Sequence, residues 1–200
     1  MILSGLLLIP LLGFLAVLML PKTAQRQIRL AALLTTGLTC ALSFVLLAHF
    51  DPRAGLQFEE RLRWIPQFGV SYHLGVDGLS VPMILLTTLL SFLACLASNT
   101  IRERIKEYYA LYLLLVLGML GTFVALDLFL FYVFWELVLV PMYFLIGIWG
   151  GGRREYSAFK FFVYTLAGMS RTWELGLQQM LFLGFFLGFA IKVPVFPFHT

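Results

Sequence analysis

Five long apolar runs, at about 2–20, 30–50, 79–98, 108–126 and 128–149, set the pattern of the chain. Each has roughly the 20 residues that cross a ~30 Å hydrocarbon core as a helix. Polar breakers separate them: Pro21 and Lys22 follow the first, Asp51 and Pro52 the second, and the glycines from Gly150 the fifth. Pro82 falls in the first turn of the third, where a missing N–H costs least. The runs are continuous rather than alternating, which excludes a transmembrane β-barrel. A further run at 156–169 is apolar except for Lys160 but shorter, at roughly 21 Å of helix. After a polar stretch at 170–174, an apolar run begins at 181 and meets Lys192, Pro194 and Pro197, predicting a broken helix over 181–198. The chain stops at Thr200, directly after this unfinished element, and reads as a fragment. The predicted architecture is an all-α, multi-span integral membrane bundle forming one membrane domain over 1–200.

The longest polar stretch, 51–78, is an outer loop in this scheme. Trp64, Phe68 and Tyr72 suit a headgroup belt. Phe58, Leu62 and Ile65 stand at helical spacing and suggest a short interfacial helix, although a folded cap over the helix ends is the simpler expectation.

Composition sharpens this picture. Hydrophobic residues make up 61% of the 200 and charged residues 12%, too little polar surface to cover a soluble domain. The net charge of +4 does not signify nucleic-acid binding, because the basic residues lie between apolar runs. Alternating spans put Lys22, Arg26, Arg29, Arg102, Arg104, Lys106, Arg153 and Arg154 on one side, and Arg53, Arg61, Arg63 and Arg171 on the other. The excess of basic residues predicts that the first side is cytoplasmic and the N-terminus outside. The N-terminal run lacks a basic head and is too long for a signal peptide. Cys40 and Cys95 lie inside apolar runs, an unsuitable setting for a disulfide framework or metal site.

Ionisable residues within spans are the natural place to seek function. Glu136 lies eight residues into the fifth run, roughly 12 Å deep, too far for its short side chain to reach water. Pro141 removes a backbone donor and leaves the Leu137 carbonyl without its helical partner, so it reads as a helix break beside a buried acid. This combination favours an ion pathway, the alternative being a structural acid bonded to a neighbouring helix. Lys192, followed by Pro194 and Pro197, is a second candidate, with the carbonyls of Ala190 and Val193 freed beside it. The alternative there is a helix-end lysine that snorkels to the headgroups. Lys160 and His199 are secondary candidates for relaying protons, with snorkelling and a structural role as their respective alternatives. Asp77 reads as a helix cap and Asp127 as a turn acid. No phosphate loop, HExxH, nucleophile elbow or CxxC haem motif is present, so no catalytic, cofactor-binding or metal residues are assigned.

The segments GVDGLSVPMILLT from Gly75, FYVFWELVLVPMYFLIGIWGG from Phe131, FKFFVYTLAG from Phe159 and FFLGFAIKVPVFPFHT from Phe185 resemble the antiporter-like membrane subunits of respiratory complex I, more narrowly the chain 4 family of NADH-quinone oxidoreductase. The first 74 residues resemble it in pattern alone. The resemblance implies the N-terminal part of a fourteen-helix fold with two inverted repeats, each holding a broken helix. Glu136 matches the family's essential glutamate, and Lys192 the broken-helix lysine that pairs with it. Quinone reduction elsewhere would shift their interaction and move a proton outward. The resemblance further implies a bacterial inner membrane, neighbouring antiporter-like chains as partners with the lipid bilayer, and no cofactor bound by this chain; flavin, iron–sulfur clusters and quinone would sit in other subunits. The family is longer between the YTLAG segment and the last apolar run, and continues beyond FPFHT. The competing readings are a subunit of a multi-subunit sodium/proton antiporter, an inert truncated fragment, and a membrane group of a hydrogenase.

Overall fold

The computed structural model describes residues 1–65, 70–151 and 154–169. The chain divides into two compact units, Met1–Ala158 and Phe159–Thr200. The expected broken helix at 181–198 lies outside the described residues. Among the described residues five helices are long and apolar enough to cross a membrane: α1 (Ile2–Met19), α2 (Gln25–Ala48), α3 (Ser80–Ala97), α4 (Ile105–Val124) and α5 (Leu128–Trp149). At 1.5 Å per residue, the 18 residues of α1 and the 22 of α5 give lengths of about 27 and 33 Å, matching the core of a bilayer. Helix α6 (Arg154–Met169) has 16 residues and reaches only about 24 Å.

Helix α4 is the hub of the first unit. In its most apolar stretch 61% of residues are buried, against 17% in α5. It packs against α1, α2, α3 and α5, while α1 also packs on α2, and α2 on α3. Two glycines explain its close contact with α5. A Cβ on Gly118 would lie 3.1 Å from the backbone nitrogen of Val138, and one on Gly121 would overlap the Phe134 ring. Small residues permit this approach, and van der Waals packing then holds the pair without help from water.

The α2–α3 contact contains buried hydroxyls. Thr36 donates to the Ala32 carbonyl at 2.9 Å and Thr39 to the Thr35 carbonyl at 2.8 Å. Ser43 and Thr88 meet across the helices at 2.7 Å. Internal back-bonding satisfies hydroxyls that no water reaches.

The outer loop is a β-hairpin, a folded cap over the helix ends as expected, in place of the suggested short interfacial helix. Strands β1 (Gln57–Ile65) and β2 (Val70–Val76) pair antiparallel, with Leu62 opposite Tyr72 and Arg63 opposite Ser71. Arg61 and Arg63 alternate with Leu62 and Trp64, a period of two that outweighs the helical spacing of Phe58, Leu62 and Ile65. The register shifts between Gln57 and Glu60, where Phe58 adopts the left-handed region with φ 55°, as a bulge permits.

The hairpin is tied to three helix ends. Glu60 accepts from the backbone N–H groups of Leu3 at 3.1 Å and Ser4 at 3.2 Å, and from the Ser4 hydroxyl. It thereby supplies the cap that α1 lacks locally. Leu126 N–H donates to the His73 carbonyl at 2.9 Å, and a bridge pairs Leu74 with Ala125 at the α4–α5 turn. Asp77 accepts from the N–H groups of Leu79 and Ser80 and caps α3. Those N–H groups hold its carboxyl below the usual aspartate range, against a smaller opposing effect of burial.

The opposite end is basic. Lys106 donates to the carbonyls of Leu18 and Leu20 at 2.8 and 2.7 Å and closes the C-terminus of α1. Arg29 reaches Asn99 and the Ile101 carbonyl. Trp149 donates to the Glu103 carbonyl at 3.0 Å, and Arg154 to the Ile148 carbonyl at 3.0 Å. Lys22, Arg26, Arg29, Arg102, Arg104, Lys106 and Arg154 stand at this end of the helices, whereas the hairpin end has Arg53, Arg61 and Arg63.

Candidate functional site

Helix α5 carries the one acid within the five crossing helices that lies far from both helix ends. Asp127 begins it: Oδ1 accepts from the N–H groups of Phe129 at 2.9 Å and Leu130 at 3.3 Å. Its other oxygen, Oδ2, accepts from the Ser71 N–H at 2.9 Å and hydroxyl at 3.2 Å. Burial raises the carboxyl's pKa, but the Ser71, Leu130 and Phe129 N–H groups outweigh it and hold the acid below its usual range. One side chain therefore fixes the start of α5 and docks the hairpin on it.

Glu136 follows nine residues later, roughly 12 Å along the axis from Leu128. Phe134 and Val138 face the α4 glycines. Glu136 is two residues from each, about 200° round the helix, so it points away from α4. Val133 and Phe129, three and seven residues earlier, share its side and are 39% and 43% exposed. Glu136 itself is half-buried. Among the described residues no hydrogen bond or ion pair reaches it. The ion pairs there are Met1–Glu60, Lys22–Glu107 and His73–Glu59, all near helix ends or in the hairpin. An acid at this depth can carry a proton or receive a charged partner.

Pro141 needs a correction. It is buried, and α5 continues through it to Trp149 without interruption. Helical geometry continues on both sides of the lost N–H, so Pro141 does not end the helix. Lys160 is exposed on α6. Lys192, His199, Pro194 and Pro197 lie outside the described residues, as does any pairing of Lys192 with Glu136. Among the described residues no group of three His, Cys, Asp or Glu side chains gathers, and Cys40 and Cys95 are buried free thiols.

The structure adds roles that the sequence did not show. Asp127 reads in sequence only as a turn acid; the structure makes it the N-cap of α5 and bonds it to Ser71, 56 positions away. Lys106 had no local signal for its contact with the end of α1. Trp135, beside Glu136, has a buried indole nitrogen without a hydrogen-bond partner among the described residues.

Residues 2–131 match the family described as NADH-ubiquinone oxidoreductase chain 4, amino terminus. Residues 125–172 match the family described as NADH:quinone oxidoreductase/Mrp antiporter, TM. NADH-quinone oxidoreductase subunit M of Rhodobacter capsulatus is 41% identical over a match covering 88% of this chain and 41% of the relative. The subunit M of Escherichia coli is 37% identical, covering 100% of this chain and 47% of the relative. The chain thus spans less than half the length of these relatives. The Escherichia coli alignment runs over 241 positions against the chain's 200 residues, so the relative carries residues within the matched region that this chain lacks. Among solved structures, respiratory complex I from Thermus thermophilus with bound NADH matches with a TM-score of 0.70 and 30% identity, covering 100% of this chain and 45% of that one. An archaeal membrane-bound sulfane sulfur reductase shares the fold, with a TM-score of 0.65 and 24% identity over 84% of this chain and 34% of that one.

Proposed function

The chain belongs to the NADH-ubiquinone oxidoreductase chain 4 family, and from that footing we propose that it forms the N-terminal part of a proton-translocating membrane subunit of NADH-quinone oxidoreductase. The observation that carries this reading is a family match through residue 131, joined to an acid at mid-depth in the helix that follows. In this role Glu136 holds a proton on the face of α5 turned away from α4. A cation brought near that face stabilises its charged form, and withdrawing the cation favours the protonated form. Lys192 is that cation in our reading. Charge changes caused by quinone reduction elsewhere in the complex alter the distance between the two and drive the proton outward. Flavin, iron–sulfur clusters and quinone belong to other subunits, and this chain supplies neither a redox centre nor a catalytic site. Lys160 and His199 are further relay positions.

The partners are neighbouring antiporter-like chains of the complex, within a bacterial inner membrane. Basic residues at the Lys22, Arg102 and Arg154 end support placing that end in the cytoplasm and the N-terminus outside. A second reading, a subunit of a multi-subunit sodium/proton antiporter, draws on the match of residues 125–172, whose description names both systems.

Partner identification tests the proposal. Membranes are solubilised gently, resolved on a native gel, and the species migrating with this chain are identified by mass spectrometry. Comigration with flavin and iron–sulfur subunits is the expected result. Comigration with antiporter chains alone would move the function to sodium/proton exchange. Migration alone or in aggregates would leave the activity to a longer parent.

A further inference from the structure

At the basic end of the bundle, α2, α3 and α4 surround a crevice of about 500 Å³. Its lining divides by chemistry. Arg26, Arg29 and Asn99 stand at the polar part, and Leu30, Leu33 and Leu96 form the apolar part. Leu30 is 55% exposed and Leu96 46%, so the apolar part opens sideways at lipid depth.

Among the described residues neither Arg26 nor Arg29 forms an ion pair with an acid. The Arg29 guanidinium donates to the Asn99 side-chain oxygen at 2.8 Å and the Ile101 carbonyl at 2.7 Å, both neutral acceptors. Its Nε is buried without a partner. Arg26 is exposed and joins no ion pair among the described residues. The nearby acid Glu107 is engaged by Lys22 at 2.8 Å. Helix α2 begins at this place with no side-chain cap and no acidic residue in its first turn, so its free N–H groups and the positive end of its dipole add to the same field.

We propose that this crevice binds an anionic phospholipid of the leaflet at the basic end. The phosphate sits between Arg26, the Arg29 side of the crevice and the start of α2, and one acyl chain follows Leu30, Leu33 and Leu96. The shared chemistry is a phosphate monoanion. The exposed leucine wall beside it selects a lipid over a free ion, because inorganic phosphate leaves that wall uncovered. The proposal is independent of the role of Glu136.

The test uses the full chain in vesicles containing a photoactivatable phosphatidylglycerol with a diazirine on its acyl chain, or the corresponding phosphatidylcholine. Labelled peptides are located by mass spectrometry. Phosphatidylglycerol is expected to label the Leu30–Leu33 and Leu96 peptides about fivefold more than phosphatidylcholine, the effect of one basic residue at an anionic surface. Arg26→Gln, which breaks no hydrogen bond or ion pair among the described residues, should remove most of that preference. Leu33→Trp should lower labelling by filling the crevice while all charges stay. Excess inorganic phosphate should leave labelling unchanged. Equal labelling by the two lipids would overturn the proposal, as would wild-type labelling in both variants. Loss of labelling in inorganic phosphate would overturn the assignment to lipid in favour of a free anion.

Discussion

Asp127 binds Ser71 with the carboxylate oxygen that does not cap α5: Oδ2 accepts from the Ser71 N–H at 2.9 Å while Oδ1 accepts from Phe129 and Leu130. The helix that carries Glu136 and the extramembrane hairpin are therefore held by one ionised group. Asp127→Ala removes both functions and should cost about 1 kcal/mol or more, the usual loss for an N-cap. Asp127→Asn keeps an acceptor and should cost less. Because the folded carboxyl lies below the unfolded value near 3.9, its contribution is complete above that value and fades as the pH falls through the folded one. Thermal unfolding in detergent should show a wild-type stability loss on acidification that Asp127→Asn lessens. Identical acid profiles would show that Asp127 carries none of it.

Glu60 makes a comparable link at the start of α1. Its side chain is 12% exposed, whereas the N-terminal ammonium it pairs with at 3.2 Å is 94% exposed. Solvent weakens this ion pair, and the hydrogen bonds from Leu3 and Ser4 add to it. Burial raises the Glu60 pKa, but the Ser4 hydroxyl and the N-terminal ammonium lower it further, leaving a net decrease. Glu60→Ala should fray the first turn by about 1.5 kcal/mol, the scale of a hydrogen bond to a charged group. Hydrogen exchange at Leu3 and Ser4 should speed up by about tenfold, with α3 and α4 unchanged. Unchanged exchange in the first turn would remove Glu60 as its cap.

Gly121 tests the seam that orients α5. An added methyl overlaps the Phe134 ring, so Gly121→Ala should destabilise the α4–α5 pair by about 1–3 kcal/mol, as overpacking does. Pairing it with Phe134→Leu should recover part of the loss. If Gly121→Ala were neutral alone, the close approach at this point would not hold α5.

These tests also divide what the sequence made legible from what it did not. Apolar run length announces the helices because each must match a bilayer, and α5 occupies Leu128–Trp149 as its run suggested. The start of α2 at Gln25 was hidden, because its first turn is polar and stands at the basic end. The folded cap over the helix ends was legible, but its hairpin form was not, because Phe58, Leu62 and Ile65 satisfy a helical period while Arg61–Trp64 satisfy a period of two. Glu136 was visible by depth, but its direction was not. Helix α5 is apolar all round, so only the distant Gly118 and Gly121 decide which side faces α4. The proposed partner, Lys192, lies beyond the described residues.

That direction shapes the central prediction. Glu136 stands about 200° from Phe134 and Val138, so replacing its charge leaves the α4 seam and the Asp127 cap untouched. Glu136→Gln should leave assembly of the proposed complex normal, as judged by native gel and by electron transfer from NADH to an artificial acceptor. It should nevertheless abolish the proton translocation that depends on this subunit, because an amide cannot take up and release the proton. Glu136→Asp keeps the charge but shortens the reach and should retain part of the activity. The proton-to-electron ratio of reconstituted complexes is the deciding measurement. A normal ratio with Glu136→Gln would exclude this residue from the pathway, whereas a lowered ratio with intact assembly would separate a proton-carrying role from a structural one.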